Sequence, residues 1–379
     1  ALPGIVKDVR HYAKPRVKLH NEGLGDYYTE GYRSLNQREW KGVRDTAYDF
    51  ASWLKVYGYM AVTLGKHPVA LTKSFVRYPW MASYLTVANM LDRHKLGLRG
   101  KQLRYTQEQF YGVVHNSVDV IAKIIERDEN LNSPNNKRAA KLRAKTVMFD
   151  EMTPSIIMAG FPMLDWIDIA MSPVCLPGEV DQNANIMYVD AAERMGLAAD
   201  VCPLPSAEVG CAIVDDYPQV GSSFITSSMP CDGSLGAALF MDRYMKKLPS
   251  FTLTPPQRFN EPETNAYAVK DLKNCIRFIE ETYHVKWDWD AFWEKAEEYN
   301  KTTQCMLDKW DVNCTPYPQV IGSALSLQRE YEFQTAACLD PFMTKQDEKV
   351  TKMMLKGYEK DREADRRDYK YRAIVWCCP

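Results

Sequence analysis

From Thr146 to about residue 263, short apolar runs alternate with segments of helical pattern. The runs cover residues 155–159, 167–170, 221–227 and 250–253, with Pro, Gly and Ser between them. The helical patterns cover residues 186–195 and 234–246. Alternation of this kind is typical of parallel sheets with helices on their faces. The sequence therefore predicts an α/β fold, with a parallel-sheet domain over residues 146–263.

The residues on either side of this domain have mostly helical patterns. Residues 1–145 carry apolar positions three and four apart over 45–56 and 110–125, and a polar, turn-rich stretch follows residue 130. We interpret 1–145 as a helical N-terminal extension. Residues 264–368 are predicted as a helical segment, with Asp288 or Asp290 capping one of its helices. Residues 369–379 have the pattern of a strand that opens a second α/β unit.

The balance of charges excludes several classes of partner. Lys and Arg total 48 and Asp and Glu total 49, so no overall field draws the chain to nucleic acid or an anionic membrane. No apolar run is long enough to span a bilayer. The first residues lack the apolar core of a secretory signal, so we expect the protein in the reducing cytoplasm. There, its ten cysteines are expected as thiols, metal ligands or redox sites rather than as a disulfide framework.

Two cysteines occupy positions suited to chemistry. Cys202 and Cys231 each follow an apolar or β-prone run and precede the start of a predicted helix. Strand ends that lead into helices border one crevice in a doubly wound sheet, and the helix dipole stabilises a thiolate there. Such a thiolate suits a metal or cluster ligand as well as a nucleophile. Cys211 falls inside a predicted helix, and Cys275, Cys305 and Cys338 have the pattern of buried apolar residues.

The spacing of these residues leaves several kinds of site open. A cysteine nucleophile needs a base, yet no histidine lies between His115 and His284, and His115 itself is expected to pack at a helix face. Zinc requires four ligands, whereas an iron–sulfur cluster held by few cysteines can keep one iron open for substrate. The cluster fits the sparse spacing better, with unrelated buried thiols as the alternative.

Three stretches together resemble a known family. They are NIMYVDAAERMGLAADVCPLPSAEVG, FITSSMPCDGSLGAALFMDRYMKKLPSFTLTPPQRFNEPE and DLKNCIRFIEETYHVKWDWDAFWEKAEEYNKTTQC. In this order they are similar to subunits of 2-hydroxyacyl-CoA dehydratases and benzoyl-CoA reductases, over about residues 155–379. The resemblance implies two Rossmann-like halves joined by helices, pairing with a second homologous subunit, and a [4Fe-4S] cluster held by three cysteines. Cys202 matches the first ligand and Cys231 the second, and the third is expected from the second half of the family fold.

The resemblance also implies a reaction. An ATP-dependent activator protein supplies one electron, and the acyl-CoA substrate becomes a ketyl radical anion that expels the 2-hydroxyl group. Deprotonation at C3 and return of the electron then give the enoyl-CoA. The reductase branch instead reduces an aryl-CoA, and a scaffold subunit without a cluster is a further alternative. Glu179, in a turn-rich segment with Cys175, is expected to orient a substrate hydroxyl or act as a base, unless it is a solvated loop residue. Ser206 is expected to cap the helix after Cys202, and Glu208 to cap it or approach the cluster.

Overall fold

Four short strands form one parallel sheet. The computed structural model describes residues 42–78, 80–81, 100–150, 153–169, 173–174, 177, 185–228, 232–244, 248–256, 261–320, 322, 325, 328 and 339–367. The strands are β1 (Thr146–Phe149), β2 (Asp165–Asp168), β3 (Ser223–Ser227) and β4 (Ser250–Leu253). They lie in the order β2-β1-β3-β4, with every pair parallel. The predicted α/β class is confirmed.

Helices make up most of the described remainder. In chain order they are α1 (Val43–Leu64), α2 (Pro68–Arg77), α3 (Gly100–Arg127), α4 (Lys137–Arg143), α5 (Ile186–Arg194), α6 (Pro203–Ile213), α7 (Asp232–Tyr244), α8 (Pro262–Tyr283), α9 (Trp289–Cys314) and α10 (Pro341–Glu363). Asp288 caps α9 by accepting hydrogen bonds from the amides of Asp290 and Ala291, each at 3.0 Å. No helix in the described ranges is long and apolar enough to cross a membrane.

The two faces of the sheet are covered by different helices, because side chains alternate along a strand. Met148, Ile167 and Phe224 lie in one core with α3 and with Tyr188, Ala207 and Cys211 of α5 and α6. Val147, Phe149 and Ile225 lie in a second core with Cys275 and Ile279 of α8. The sheet is therefore the middle layer of a helix–sheet–helix sandwich.

Helix α3 also joins the helices outside the sandwich. Tyr59 of α1 donates a hydrogen bond to Asp119 of α3 at 2.5 Å, and Gln346 of α10 donates to the backbone carbonyl of Glu108 at 2.8 Å. The ion pair between Lys309 of α9 and Asp347 of α10 is fully buried. The predicted boundary at residue 145 stays a prediction, although α3 shares its core with the strands that follow it.

One predicted strand is wrong. Residues 155–159 belong to a 3₁₀ helix, Ser155–Gly160, whose Ile157 and Met158 pack in the α8 core. A short apolar run has no periodicity that distinguishes a strand from a buried helical turn. The first strand among the described residues is Thr146–Phe149, at the point where the alternating pattern begins. The predicted opening strand over 369–379 lies outside the described residues.

Candidate functional site

The carboxyl edge of the sheet has a switch point between β1 and β3. The chain moves from β1 to β2 on one side and then crosses to β3 on the other side of β1. In open α/β sheets, ligands bind in the crevice that such a reversal leaves at the carboxyl ends of the strands. Here the amide of Asp150 and the hydroxyl of Thr153 both donate to the carbonyl of Ile225, at 2.9 and 3.4 Å. These bonds fix the chain that leaves β1 against β3.

Helix α6 begins at this carboxyl edge. The loop after α6 lies at the opposite edge, where the amide of Gln219 donates to Asp128, just beyond α3, and Arg127 donates to the side chain of Thr146 at the start of β1. The 11 residues of α6 span about 16 Å, roughly the height of the sheet. The helix therefore runs antiparallel to the strands, with its N-terminus at the carboxyl edge.

Cys202 is the N-cap residue of α6, and its side chain is exposed. It was expected to follow a strand, but that expectation is wrong: Cys202 lies in the turn between α5 and α6. The helix start itself was predicted correctly. Because Pro203 and Pro205 have no amide hydrogen, Leu204 alone of the first three helical residues has an N–H directed out of the helix start.

The predicted capping residues have other partners. The amide and hydroxyl of Ser206 both donate to the carbonyl of Cys202, at 3.3 and 2.9 Å, so Ser206 bonds back along the helix and does not cap it. Glu208 does not cap either, because it is buried in the middle of α6 and accepts a hydrogen bond from Tyr217 at 2.6 Å.

Cys231, Cys175 and Glu179 lie outside the described residues, so their predicted roles stay predictions. The flanks of Cys231 are described: β3 ends at Ser227 and α7 begins at Asp232. Helix α7 follows a strand directly and therefore also begins at the carboxyl edge. It packs beside α6, since Val209 of α6 and Ala237 of α7 share one small apolar cluster.

The other described cysteines are poorer ligand candidates than Cys202. Cys211 and Cys275 are buried inside helices, as predicted, and burial raises the pKa of Cys211 well above its usual value and that of Cys275 to about 12. Cys305 is half-buried, and Cys314 is exposed at the C-terminal end of α9, where the helix dipole disfavours a thiolate. Within the described ranges, no group of three or more His, Cys, Asp or Glu residues is arranged to hold a metal ion.

A cavity of about 440 Å³ lies beside β2, between this edge strand and helices α3 and α9. Its walls include the apolar side chains of Val120, Phe161 and Trp166. Its charged lining residues are Asp119, Asp168, Glu294, Asp340, Lys123 and Lys295. Lys123 forms an ion pair with Asp165 at 2.9 Å. The other charged side chains that line the cavity therefore carry a net negative charge.

His115 has the packing role that was expected of it. Its ring is stacked between Tyr59 and Phe342, with centroid distances of 3.8 and 3.7 Å. Burial lowers the pKa of His115, against the opposing effect of Asp119 and Asp340. A neutral imidazole between two aromatic rings joins α1, α3 and α10.

Sequence reasoning missed the buried carboxyl groups at the carboxyl edge. Asp150 and Asp168 follow or end β1 and β2 and are 3% and 2% exposed. The carboxylate of Asp150 directly follows the run TVMF and would have been indicated, had that run been recognised as a strand.

Comparison with known proteins identifies a family. The family model described as 2-hydroxyglutaryl-CoA dehydratase, D-component, matches residues 180–379. The matched region contains Cys202 and Cys231 together with α5 to α10. No curated protein matches the chain.

Proposed function

Since the chain belongs to the family of the 2-hydroxyglutaryl-CoA dehydratase D-component, we propose that it is the iron–sulfur subunit of a 2-hydroxyacyl-CoA dehydratase. The observation that carries this proposal is the position of Cys202. Cys202 has an exposed thiol and is the N-cap residue of a helix that begins at the carboxyl edge of the sheet, inside the region that the family model matches.

The described residues fit a cluster ligand at Cys202. A ligand must be a thiolate, and the N-terminus of α6 favours negative charge, whereas burial keeps Cys211 and Cys275 protonated. Cys231 stands directly before the start of α7, which begins at the same edge. We propose that Cys202 and Cys231 hold a [4Fe-4S] cluster with a third cysteine.

When bound, the cluster would supply the low-potential electron that turns the thioester carbonyl into a ketyl radical anion able to expel the 2-hydroxyl group. The chain's own part is to hold the acyl-CoA at the crevice and to keep water away. Glu179 is proposed to orient the substrate hydroxyl or to accept a proton. A second homologous subunit and an ATP-dependent activator complete the assembly, in the cytoplasm, where ATP is available.

Iron analysis tests the cluster. After anaerobic purification with its partner, the protein should contain iron and sulfide and give the electron paramagnetic resonance signal of a reduced cluster. Cys202→Ala and Cys231→Ala should each lower the iron content by more than half. Cys314→Ala is the matched control, because Cys314 is also exposed but ends a helix. Iron content unchanged in both ligand variants would refute the assignment and favour a scaffold without a cluster.

The cavity beside β2 is proposed to take the acyl chain. Its apolar walls suit a neutral alkyl or aryl group, and its carboxylates repel an acyl group that itself ends in a carboxylate. We expect kcat/KM for 2-hydroxyglutaryl-CoA to be at least about tenfold below that for a 2-hydroxyacyl-CoA with a neutral side chain. Glu294→Gln should bring the kcat/KM values of these two substrates closer together. Turnover of benzoyl-CoA, without turnover of 2-hydroxyacyl-CoA, would assign the chain to the reductase branch instead.

A further inference from the structure

One side of α9 carries a stripe of side chains at alternating intervals of four and three residues. This spacing places the stripe along one line of a helix whose 26 residues span about 39 Å. Its largest members are exposed: Trp289 by 55%, Trp293 by 59%, Leu307 by 52% and Trp310 by 39%. Large apolar side chains grouped on one surface mark interaction sites. The residues of this stripe, the α9 seam, are Trp289, Trp293, Ala296, Asn300, Thr303, Leu307 and Trp310.

The opposite side of α9 is the side that packs in the fold. Met306 and Val312 are buried there. Lys309 forms its buried ion pair with Asp347 of α10, and Thr351 of α10 donates its hydroxyl to the carbonyl of Cys305 at 3.5 Å. Helix α10 therefore covers one side of α9, and the seam faces away from it.

The two tryptophans at the start of the seam are held in place by other aromatic rings. Their rings stack on each other, with centroids 6.4 Å apart and planes inclined by 26°. Trp289 also packs edge-on against Trp287 at 5.4 Å, and Trp287 packs edge-on against the buried ring of Phe161 at 5.2 Å. Phe292 contacts Trp293 at 5.2 Å. Because these contacts already restrict the two exposed rings, a partner that covers them loses little side-chain entropy.

A line of negative charge runs beside the seam. Positions 290, 297, 304 and 311 are seven residues apart, and all four are exposed. Three of them are Asp290, Glu297 and Asp311, which have no ion-pair partner among the described residues, and the fourth is Gln304. The helix dipole accounts for an acidic residue at 290 only, since its effect is confined to the first turn. Neither the seam nor these four positions contain Lys or Arg.

We propose that the α9 seam is a docking surface for an amphipathic helix of a partner protein, and that Lys or Arg side chains of this helix face Asp290, Glu297 and Asp311. Exposed heptad spacing is the pattern by which helices pair, and charges beside such a stripe select the partner. The polar Asn300, in the middle of the seam, restricts the register of pairing.

The charge beside the seam disfavours a second copy of this chain as the occupant. Two α9 helices packed antiparallel would place the carboxylates of one copy opposite those of the other, and like charges in contact are costly. The inference does not rest on the proposed function, because the cavity beside β2 is lined by Ala291 and Lys295. These lie two positions beyond Trp289 and Trp293 and hence on another side of α9.

Binding of two designed peptides tests the charge preference. Both are amphipathic helices of about four heptads with leucine at the seam-facing positions, and they differ only in carrying Lys or Glu beside the leucines. By fluorescence anisotropy at about 0.1 M salt, the full chain should bind the Lys peptide at least about tenfold more tightly than the Glu peptide. Equal affinity for the two peptides would overturn the proposal.

Variants of the full chain locate the binding surface. Trp289→Ala combined with Trp293→Ala should weaken binding of the Lys peptide by about tenfold or more, because exposed tryptophans dominate such contacts. Phe50→Ala is the matched control, since Phe50 is 70% exposed but lies on α1, and it should bind as the wild type does. Unchanged affinity in the double tryptophan variant would place the peptide elsewhere and refute the assignment.

A charge variant tests the same surface without altering its aromatic rings. Asp290→Asn, Glu297→Gln and Asp311→Asn combined should bring the affinities for the two peptides within about threefold of each other. A tenfold preference that survives in this variant would contradict the role of these carboxylates.

Sedimentation velocity over a wide range of concentrations tests the alternative occupant. A dimer of the wild-type chain that the double tryptophan variant abolishes would assign the seam to a second copy and overturn the proposal. We expect self-association to be equal in the two proteins. None of these measurements depends on iron or on turnover, so their failure is distinct from failure of the proposed function.

Discussion

Asp128 is a buried carboxyl at the junction of α3 with the sheet. It accepts hydrogen bonds from the hydroxyl of Tyr78 at 2.6 Å and from the amide of Gln219 at 2.9 Å. Burial raises its pKa to about 6, above the value near 3.9 of an exposed aspartate. Because the raised pKa belongs to the folded state, the stability that Asp128 contributes is lost as pH rises through 6.

Substitution of Asp128 by Asn should remove this pH dependence. Between pH 5 and pH 8, the free energy of unfolding of the wild type should fall by about 1 kcal/mol relative to Asp128→Asn. Urea unfolding at the two pH values measures the difference. Identical pH dependence in the two proteins would show that Asp128 titrates normally. Asp311→Asn, at an exposed position of α9, is the control and should follow the wild type.

Single residues show where sequence reasoning succeeds. The helix start at Cys202, the Asp288 cap and the buried thiols Cys211 and Cys275 could be predicted, because each depends on local pattern. The buried position of Glu208 could not, because it depends on the fold that brings the phenol of Tyr217 within 2.6 Å of this carboxyl.

At the scale of elements, α5 and α6 pack unusually closely at Gly210. A Cβ atom at this position would lie 1.7 Å from the carbonyl oxygen of Tyr188 in α5. Gly210→Ala must therefore push the two helices apart, and we expect it to lower the free energy of unfolding by about 3 kcal/mol. It should also lower iron binding, since α6 carries Cys202.

Gly236 provides the matched control for this prediction. It lies in the neighbouring helix α7, with no atom within 4 Å of a Cβ built there. Gly236→Ala should stabilise the protein by about 0.5–1 kcal/mol, as alanine does in helices generally. Thermal unfolding of both variants tests the contrast. Equal effects at the two positions would show that α5 and α6 can separate at little cost.

The buried ion pair between α9 and α10 gives a second prediction. Lys309 and Asp347 are fully buried, and Gln328 donates to the same oxygen of Asp347 at 2.7 Å. Lys309→Met leaves Asp347 charged and without its cation, so unfolding should become easier by about 3–5 kcal/mol.

Two further variants isolate the cause. Lys309→Met combined with Asp347→Leu should recover most of the loss, because no uncompensated charge remains. Lys352→Met, which breaks an exposed pair with Glu348, should cost less than about 1 kcal/mol. Denaturant midpoints compare all four proteins. A double variant as unstable as Lys309→Met would indicate that packing, not charge, is lost.

Element types were predicted better than their positions relative to the sheet. Strands β3 and β4 and helices α5, α7 and α8 lie where apolar runs and periodic segments predicted them, within a few residues. The run at 155–159 and the connection before Cys202 were misjudged, because short apolar runs form strands or helical turns according to what they pack against.

At the scale of the whole molecule, α3 is part of the hydrophobic core that covers one face of the sheet. Its residues Val113, Val118 and Ile121 share a core with Met148, Ile167 and Phe224. A fragment comprising 146–379 would expose this face of the sheet to water. We expect it to bind a hydrophobic dye and to unfold without a cooperative transition, unlike the full chain. Cooperative unfolding of the fragment would instead support an independent domain from residue 146.

The family and the α/β class could be predicted from sequence, but a complete site could not. The class follows from the alternation of apolar runs and helices, and the family from ordered stretches around two cysteines. The switch point depends on strand order, which no local pattern contains. The cavity beside β2 is likewise lined by α3, α9 and the two residues before α10, which are far apart in the chain.

The strand order also has a consequence for folding during synthesis. At about 5–20 residues per second, β3 leaves the ribosome roughly 4–15 s after β1, and α8 follows later still. Helix α3 precedes β1 and can cover Met148 at once. Val147 and Phe149 face the side that α8 covers, so they wait for a helix more than 100 residues downstream. A nascent chain stalled in this interval exposes one apolar face, and we expect chaperone binding and aggregation to concentrate there.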